Sequence, residues 1–156
     1  MKCRLIAAGT RLPDWVNSGF REYQKRLRAP LALDLEEIPI APCRPGENPQ
    51  PAMAREGERM LATLGPKDYV VALEISGAAM STAELSVWLN AKLRQAKPIA
   101  LLIGGPNGLS PACLERADER WSLSPLTLPH ALVRILVAEQ LYRAMSFAAG
   151  HPYHRA

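Results

Sequence analysis

The sequence has little of what staples small folds or anchors a chain in a membrane. It holds three cysteines in 156 residues. Cys3, Cys43 and Cys113 lie far apart and are odd in number, which fits neither a zinc-ligand spacing nor a disulfide framework. No apolar stretch approaches the ~20 residues needed to cross a bilayer. The run Leu5 to Ala8 is too short for the core of an export signal. These absences point to a chain in a reducing cytoplasm. There is no repeat and no low-complexity segment. A P-loop, a Gly-x-Gly-x-x-Gly dinucleotide fingerprint, a Gly-x-Ser-x-Gly hydrolase elbow and a His-Glu-x-x-His helix are all missing, as is any clustered carboxylate set. ATP-driven, ordinary dinucleotide, esterase and metal-dependent chemistries therefore have no signature, and no metal is expected.

The length suits one domain, residues 1–156, large enough for a real core. Hydrophobic residues make up 48% and charged residues 22%, the balance of an ordered globular chain. Net charge is +4, unevenly spread. Residues 1–28 carry seven Lys/Arg against Asp14 and Glu22, a net +5; residues 29–90 carry four against nine, a net −5; residues 91–156 carry eight against four, a net +4. Two basic ends around an acidic middle suit a phosphate backbone as partner, and equally suit a merely soluble surface.

The chain alternates between two hydrophobic periods. Cys3 to Ala8 reads as a buried strand. Asp14 to Leu27 reads as a helix with Val16, Phe20, Tyr23 and Leu27 along one face. Leu31 to Ile38 alternates as a strand. Five prolines between Pro39 and Pro51 mark a loop. Ala52 to Leu64 reads as a helix stopped by Gly65-Pro66, and Tyr69 to Ile75 as a strand. Ser81 or Thr82 can cap a helix running to about Gln95. Ile99 to Ile103 is wholly apolar, as at the centre of a parallel sheet. A short helix over Pro111–Glu119, a strand over Trp121–Leu123 and a last helix over His130–Ala148 complete the pattern. Such alternation predicts α/β layers around a mostly parallel sheet. The last helix is apolar nearly all round, so it needs cover on more than one side. Burial within the chain and a partner subunit would each supply it.

Three apolar strands run into loops of Gly, Ser or Pro: Val70–Leu73 into Ser76-Gly77, Leu101–Ile103 into Gly104-Gly105-Pro106-Asn107-Gly108, and Trp121–Leu123 into Ser124–Pro129. In open α/β sheets ligands bind beyond the carboxyl ends of strands. Leu73, Leu126 and Leu128 can wall a flat purine while backbone groups read its edge. Two further features carry charge. Arg21, Lys25 and Arg28 recur at i, i+4, i+7, which would place them on one helix face. The ending His151-Pro152-Tyr153-His154-Arg155 combines phosphate-gripping, base-stacking and proton-moving side chains, in a position where chain ends usually fray.

Leu102–Pro111, Trp121–His130, Arg134, Glu139–Ala144 and Tyr153-His154-Arg155, with Ala8-Gly9-Thr10 and Pro13-Asp14-Trp15, closely resemble the H family of ribosomal RNA large subunit methyltransferases, in the SPOUT class. The resemblance covers nearly the whole chain and is weakest around residues 41–51. It implies a SPOUT-type mostly parallel sheet flanked by helices, a C-terminal trefoil knot and a homodimer. It implies S-adenosylmethionine as methyl donor, in a pocket lined by Leu73, Gly105 and Leu123, Ser124, Pro125, Leu126, Thr127 and Leu128, and shaped by Gly104 and Pro129. The implied substrate is N3 of a pseudouridine in a stem-loop of 23S ribosomal RNA, in the assembled ribosome. His154 is then a candidate proton acceptor, with Tyr153 and Arg155 beside it. His130 and solvent compete for that role, and Arg21, Lys25 and Arg28 would hold phosphates. A methyltransferase acting on another RNA, such as transfer RNA, and a non-enzymatic RNA-binding module remain alternatives at this level.

Overall fold

The structure is a computed structural model and describes residues 1–155. Five strands form one parallel sheet: β1 (Lys2–Ala8), β2 (Ala32–Ile38), β3 (Tyr69–Ala79), β4 (Ile99–Ile103) and β5 (Glu119–Ser122), in the order β2-β1-β4-β3-β5. The helices are α1 (Asp14–Gln24), α2 (Gln50–Ala62), α3 (Thr82–Gln95), α4 (Pro111–Arg116) and α5 (His130–Ala148), followed by a single 3₁₀ turn, Pro152–Arg155. The expected helix-flanked parallel sheet is what forms.

The layers follow from the period-2 alternation of the strands. Leu5, Ala7, Val71, Leu101 and Ile103 point to one face and meet Phe20 of α1, Leu85 and Leu89 of α3, and Val133, Val137, Ala138 and Leu141 of α5. Ile6, Ala8, Val70, Ala72 and Leu102 point to the other, against Met60 of α2 and Cys113 of α4. β4 is buried at all five positions because it sits between β1 and β3 with helices on both faces. Burial pushes the Cys3 thiol up to about 12, so it is an inert core group.

Local signals explain most of the boundaries. Ser81 accepts the Glu84 backbone N–H while the Glu84 carboxylate accepts the Ser81 N–H, a reciprocal cap that starts α3. Four differences from the sequence-based reading bear on packing or on the site. α1 stops at Gln24, so Leu27 is buried from the connection rather than from the helix. α2 starts two residues early, at Gln50, with Pro51 in its first turn, where the missing N–H costs nothing. α4 ends at Arg116, and Glu119 already belongs to β5.

The fourth difference matters for the site. Ser76-Gly77, read as a ligand loop, lies inside β3, which runs on to Ala79 past an irregularity between Leu73 and Ala78. A Cβ on Gly77 would come within 2.6–2.7 Å of the Arg120 and Trp121 backbone. This glycine serves strand packing against β5, not approach to a ligand.

Candidate active site

The carboxyl ends of β3, β4 and β5 open onto a cavity of about 640 Å³, within the range of small-molecule sites. Each strand contributes one wall. β3 brings Leu73, Glu74 and Ile75; β4 brings Ile103 and the turn Gly104 to Gly108; β5 brings Trp121 and the loop Leu123 to Pro129.

The β4 turn is tight by construction. The Gly108 N–H donates to the Gly105 carbonyl at 3.0 Å, with Pro106-Asn107 at the corner and Gly108 at φ +85°. Proline presets the first corner residue and glycine takes the left-handed position. The turn folds so closely on itself that a Cβ on Gly104 would lie 2.4 Å from the Gly108 carbonyl carbon. Gly105 differs from expectation. Its missing Cβ faces Glu56 Oε1 at 3.2 Å and Ala8 Cβ at 3.5 Å, inward rather than toward the cavity. Gly105→Val would therefore crowd the interior behind the turn, and is no clean probe of ligand binding.

Two hydrogen bonds shape the β5 loop: the Leu126 N–H donates to Ser124 Oγ at 2.9 Å, and the Ser122 hydroxyl donates to the Ser124 carbonyl at 3.1 Å. Held this way, Leu123 and Leu126 are 41% and 73% exposed although both are large and apolar, as expected of residues that gain cover from a ligand or partner. Trp121 Nε1 is buried without a hydrogen-bond partner among the described residues, and its ring packs against Trp88 at 4.6 Å. Neither Trp121 nor Val133, which also lines the cavity, stood out in the sequence, because both read as plain core.

His130 opens α5 at the rim. Burial, then the neighbouring Arg134 charge, push its pKa down, against an opposing pull from Glu56. The ring is thereby kept neutral at pH 7 and can accept a proton. Arg134, one turn on, is 1% exposed; it pairs with Glu37 at 2.6 Å and donates to the carbonyls of Gly9 at 2.7 Å and Ala8 at 3.3 Å. It ties the start of α5 to the ends of β1 and β2.

The structure thus brings together Leu73, Gly104, Gly105, Leu123, Ser124, Leu126, Thr127, Leu128, Pro129 and His130 around one cavity. Pro125 lies within the loop but off the lining. Tyr153, His154 and Arg155 are elsewhere, at the far end of α5. That helix has 19 residues, so its ends are roughly 27 Å apart. The tail is not frayed. Tyr153 packs edge-on against Tyr142 at 4.7 Å, and the His154 ring lies 4.8 Å from Phe147, with its Nδ1 buried. Arg21, Lys25 and Arg28 do not form a continuous helical stripe. Lys25 lies just past the last residue of α1 and pairs with Glu22 at 2.6 Å, and Arg28 lies beyond, bonded to the Lys25 carbonyl.

Residues 1–154 match a family model described as "Predicted SPOUT methyltransferase". The chain belongs to the SPOUT methyltransferase family. Relatives named ribosomal RNA large subunit methyltransferase H match it end to end. That of Alkalilimnicola ehrlichii is 52% identical over 156 residues, with all of both chains covered, and that of Hahella chejuensis 49% identical over 155 residues, with 99% of each covered. Among solved structures, a probable methyltransferase from Bordetella pertussis overlays with a TM-score of 0.57 at 20% identity, covering 92% of this chain and 95% of that one. A probable methylase family protein from Haemophilus influenzae gives 0.55 at 14% identity, covering 97% and 69%. These two share the fold.

Proposed function

We propose that this chain transfers a methyl group from S-adenosylmethionine to N3 of a pseudouridine in a stem-loop of 23S ribosomal RNA, on the assembled ribosome and in the cytoplasm. The observation that carries this reading is the cavity at the ends of β3, β4 and β5 in a SPOUT methyltransferase whose full-length relatives bear a large-subunit ribosomal RNA methyltransferase name. The trefoil knot typical of the family belongs to the same reading. No helix among the described residues is long and apolar enough to cross a membrane.

The cavity suits the methyl donor in chemistry as well as size. Leu73, Leu123, Leu126 and Leu128 offer apolar walls to a purine, and the turn Gly104 to Gly108 and the loop Ser124 to Thr127 offer backbone groups to its polar edges. When bound, S-adenosylmethionine supplies an electrophilic methyl carbon on a good leaving group. The protein's own task is then mainly positioning, because holding two reactants in line removes much of the barrier. N3–H of the base is a weakly acidic imide whose proton must leave. A stem-loop base can be splayed out and stacked, which exposes that edge.

The acceptor candidates are His130, neutral and at the cavity rim, and His154. Within one chain His154 sits at the wrong end of α5. It reaches a cavity only if a second copy supplies it, so the reading requires a homodimer in which Tyr153, His154 and Arg155 of the partner subunit close the site. Trp15 of α1 and Leu132 and Leu136 of α5, 59%, 38% and 39% exposed, are the apolar surface proposed to meet that second copy. Arg21, Lys25 and Arg28 are proposed to hold phosphates, as three separate contacts rather than one stripe.

The test is methyl transfer from labelled S-adenosylmethionine to ribosomes, to free 23S ribosomal RNA and to transfer RNA, followed by nucleoside mass spectrometry. Methylated pseudouridine from ribosomes is the expected product. Label on transfer RNA alone, or none on any RNA, refutes the reading.

A further inference from the structure

Midway along α5 one carboxylate holds together groups from two helices and the tail. Glu139 Oε1 pairs with Arg143 at 2.5 Å and also accepts the Tyr153 hydroxyl at 3.3 Å. Its other oxygen accepts from Gln140 Nε2 at 2.8 Å, and Gln140 is in turn bonded to Thr82 of α3. The Arg143 guanidinium lies 4.9 Å from the Tyr153 ring centre and reaches the Tyr153 carbonyl at 3.4 Å. Arg26, beyond α1, lies 5.8 Å from the same ring. The Arg143 and Glu139 side chains are 19% and 14% exposed, so this pair is screened far less than a surface one.

We propose that Glu139 is a positioning residue for methyl transfer: through Arg143 and the Tyr153 hydroxyl it clamps the C-terminal turn, and so fixes where His154 and Arg155 are presented to a neighbouring subunit. The proposal rests on the reading that the tail completes a partner's site. Three features favour a clamp over ordinary helix-end packing. The contacts run to the tail's backbone carbonyl as well as to its ring and hydroxyl, so they set the turn's orientation and not only its burial. The Tyr153 hydroxyl, pushed up to about 12 by burial, by its bond to Tyr23 and by the Glu139 charge, stays a proton donor throughout the working range. Gly150, at φ +70°, turns the chain at the end of α5 and the His151 N–H closes that end on the Ser146 carbonyl at 2.9 Å, so the four-residue turn leaves the helix from a fixed base and the Glu139 and Arg143 contacts set its orientation beyond it.

The experiment uses the full-length protein with ribosomes as substrate. Glu139→Ala is expected to lower kcat about 100-fold, the scale of a misplaced reacting group. Its affinity for S-adenosylmethionine should stay within about twofold, since none of Glu139, Arg143 and Tyr153 lines the cavity and Glu139 lies roughly 13 Å along α5 from His130 at the rim. Amide exchange in the C-terminal peptide after Phe147 should accelerate in parallel. Glu139→Gln keeps an acceptor for Tyr153 and should recover a large part of both rate and protection. Tyr153→Phe removes only the hydroxyl and should show a smaller loss of each; it carries the test if Glu139→Ala does not fold. An alanine variant with normal kcat, a fall in kcat with the tail still protected, or a glutamine variant as poor as alanine overturns the proposal. Deleting residues 151–156 separates the role of the tail from that of the clamp. A truncated chain that keeps its rate sinks the tail as part of the site. A dead truncation beside a fully active Glu139→Ala sinks the clamp alone.

Discussion

The two ends of α5 are built by different means. At the start of the helix the cavity is made of backbone: a glycine turn, an open loop and a few leucines. At its end the tail is held by side chains, through ion pairs, ring contacts and one hydroxyl. A backbone-built site tolerates most substitutions and fails where a Cβ meets main chain, as at Gly104. A side-chain clamp fails one residue at a time. The first arrangement suits a ligand that is the same in every turnover; the second fixes the direction in which one short segment points.

The largest expected effect comes from separating the two ends. Deleting residues 151–156, of which Ala156 lies outside the described residues, should cut methyl transfer to ribosomes by about 100-fold or more. Folding by circular dichroism and binding of S-adenosylmethionine by calorimetry should persist. Mixing the truncated chain with a cavity variant, Leu126→Asp, should restore activity, because a mixed dimer has one intact cavity facing one intact tail. No recovery on mixing would mean that each tail serves its own chain.

A smaller effect is expected at the surface proposed to join two copies. Leu136→Asp would bury an unpaired carboxylate in an apolar contact. A penalty of about 3 kcal/mol is the scale for an uncompensated buried charge, or roughly 100-fold in the dimer dissociation constant. Sedimentation should show monomer at micromolar concentration, with transfer falling in proportion to lost dimer and recovering at high protein concentration. Tyr142→Asp, which targets the same helix, is the poorer choice because Tyr142 packs against Tyr153 and its loss would undock the tail as well.

The smallest effect concerns His130. Its folded pKa is depressed, mainly by burial, while its unfolded value is about 6.5. The folded state therefore binds fewer protons than the unfolded state as pH drops below that value. The stability due to neutral His130 is present above pH 6.5 and lost as pH falls through the depressed pKa. His130→Gln should flatten this acid limb of the melting temperature without changing it at pH 8. An unchanged limb would place the sensitivity elsewhere.

The same contrast governs what could be read from sequence. The cavity was legible because its signals are local: apolar strands followed by glycine, serine and proline, with Leu73, Leu126 and Leu128 in sequence reach of them. β4 and α5 were equally plain from run length and periodicity. The extension of β3 through Ser76-Gly77 was not, because its strand character comes from pairing with β5, over 40 residues away in the chain. The density of prolines hid the start of α2, although Pro51 is itself a helix-start residue. The tail clamp joins Arg26, Glu139, Arg143 and Tyr153 across most of the chain, and no spacing rule links the first of these to the last. The Arg21, Lys25 and Arg28 periodicity was real as a pattern but outran the helix it required.

Buried Arg134 has a consequence for the helix as a whole. It bolts the first turns of α5 to the carbonyls of Ala8 and Gly9 and to Glu37, while Glu139 and Arg143 engage the tail further along. Between the two fixtures α5 acts as a gauge block, setting both a spacing and an angular phase. One residue inserted between Arg134 and Glu139 would advance the far fixture by about 1.5 Å and turn it by about 100°, leaving every contact chemically intact and every one aimed at the wrong place. The length of this segment is therefore a constraint in its own right, as binding on the chain as the identity of any residue in it.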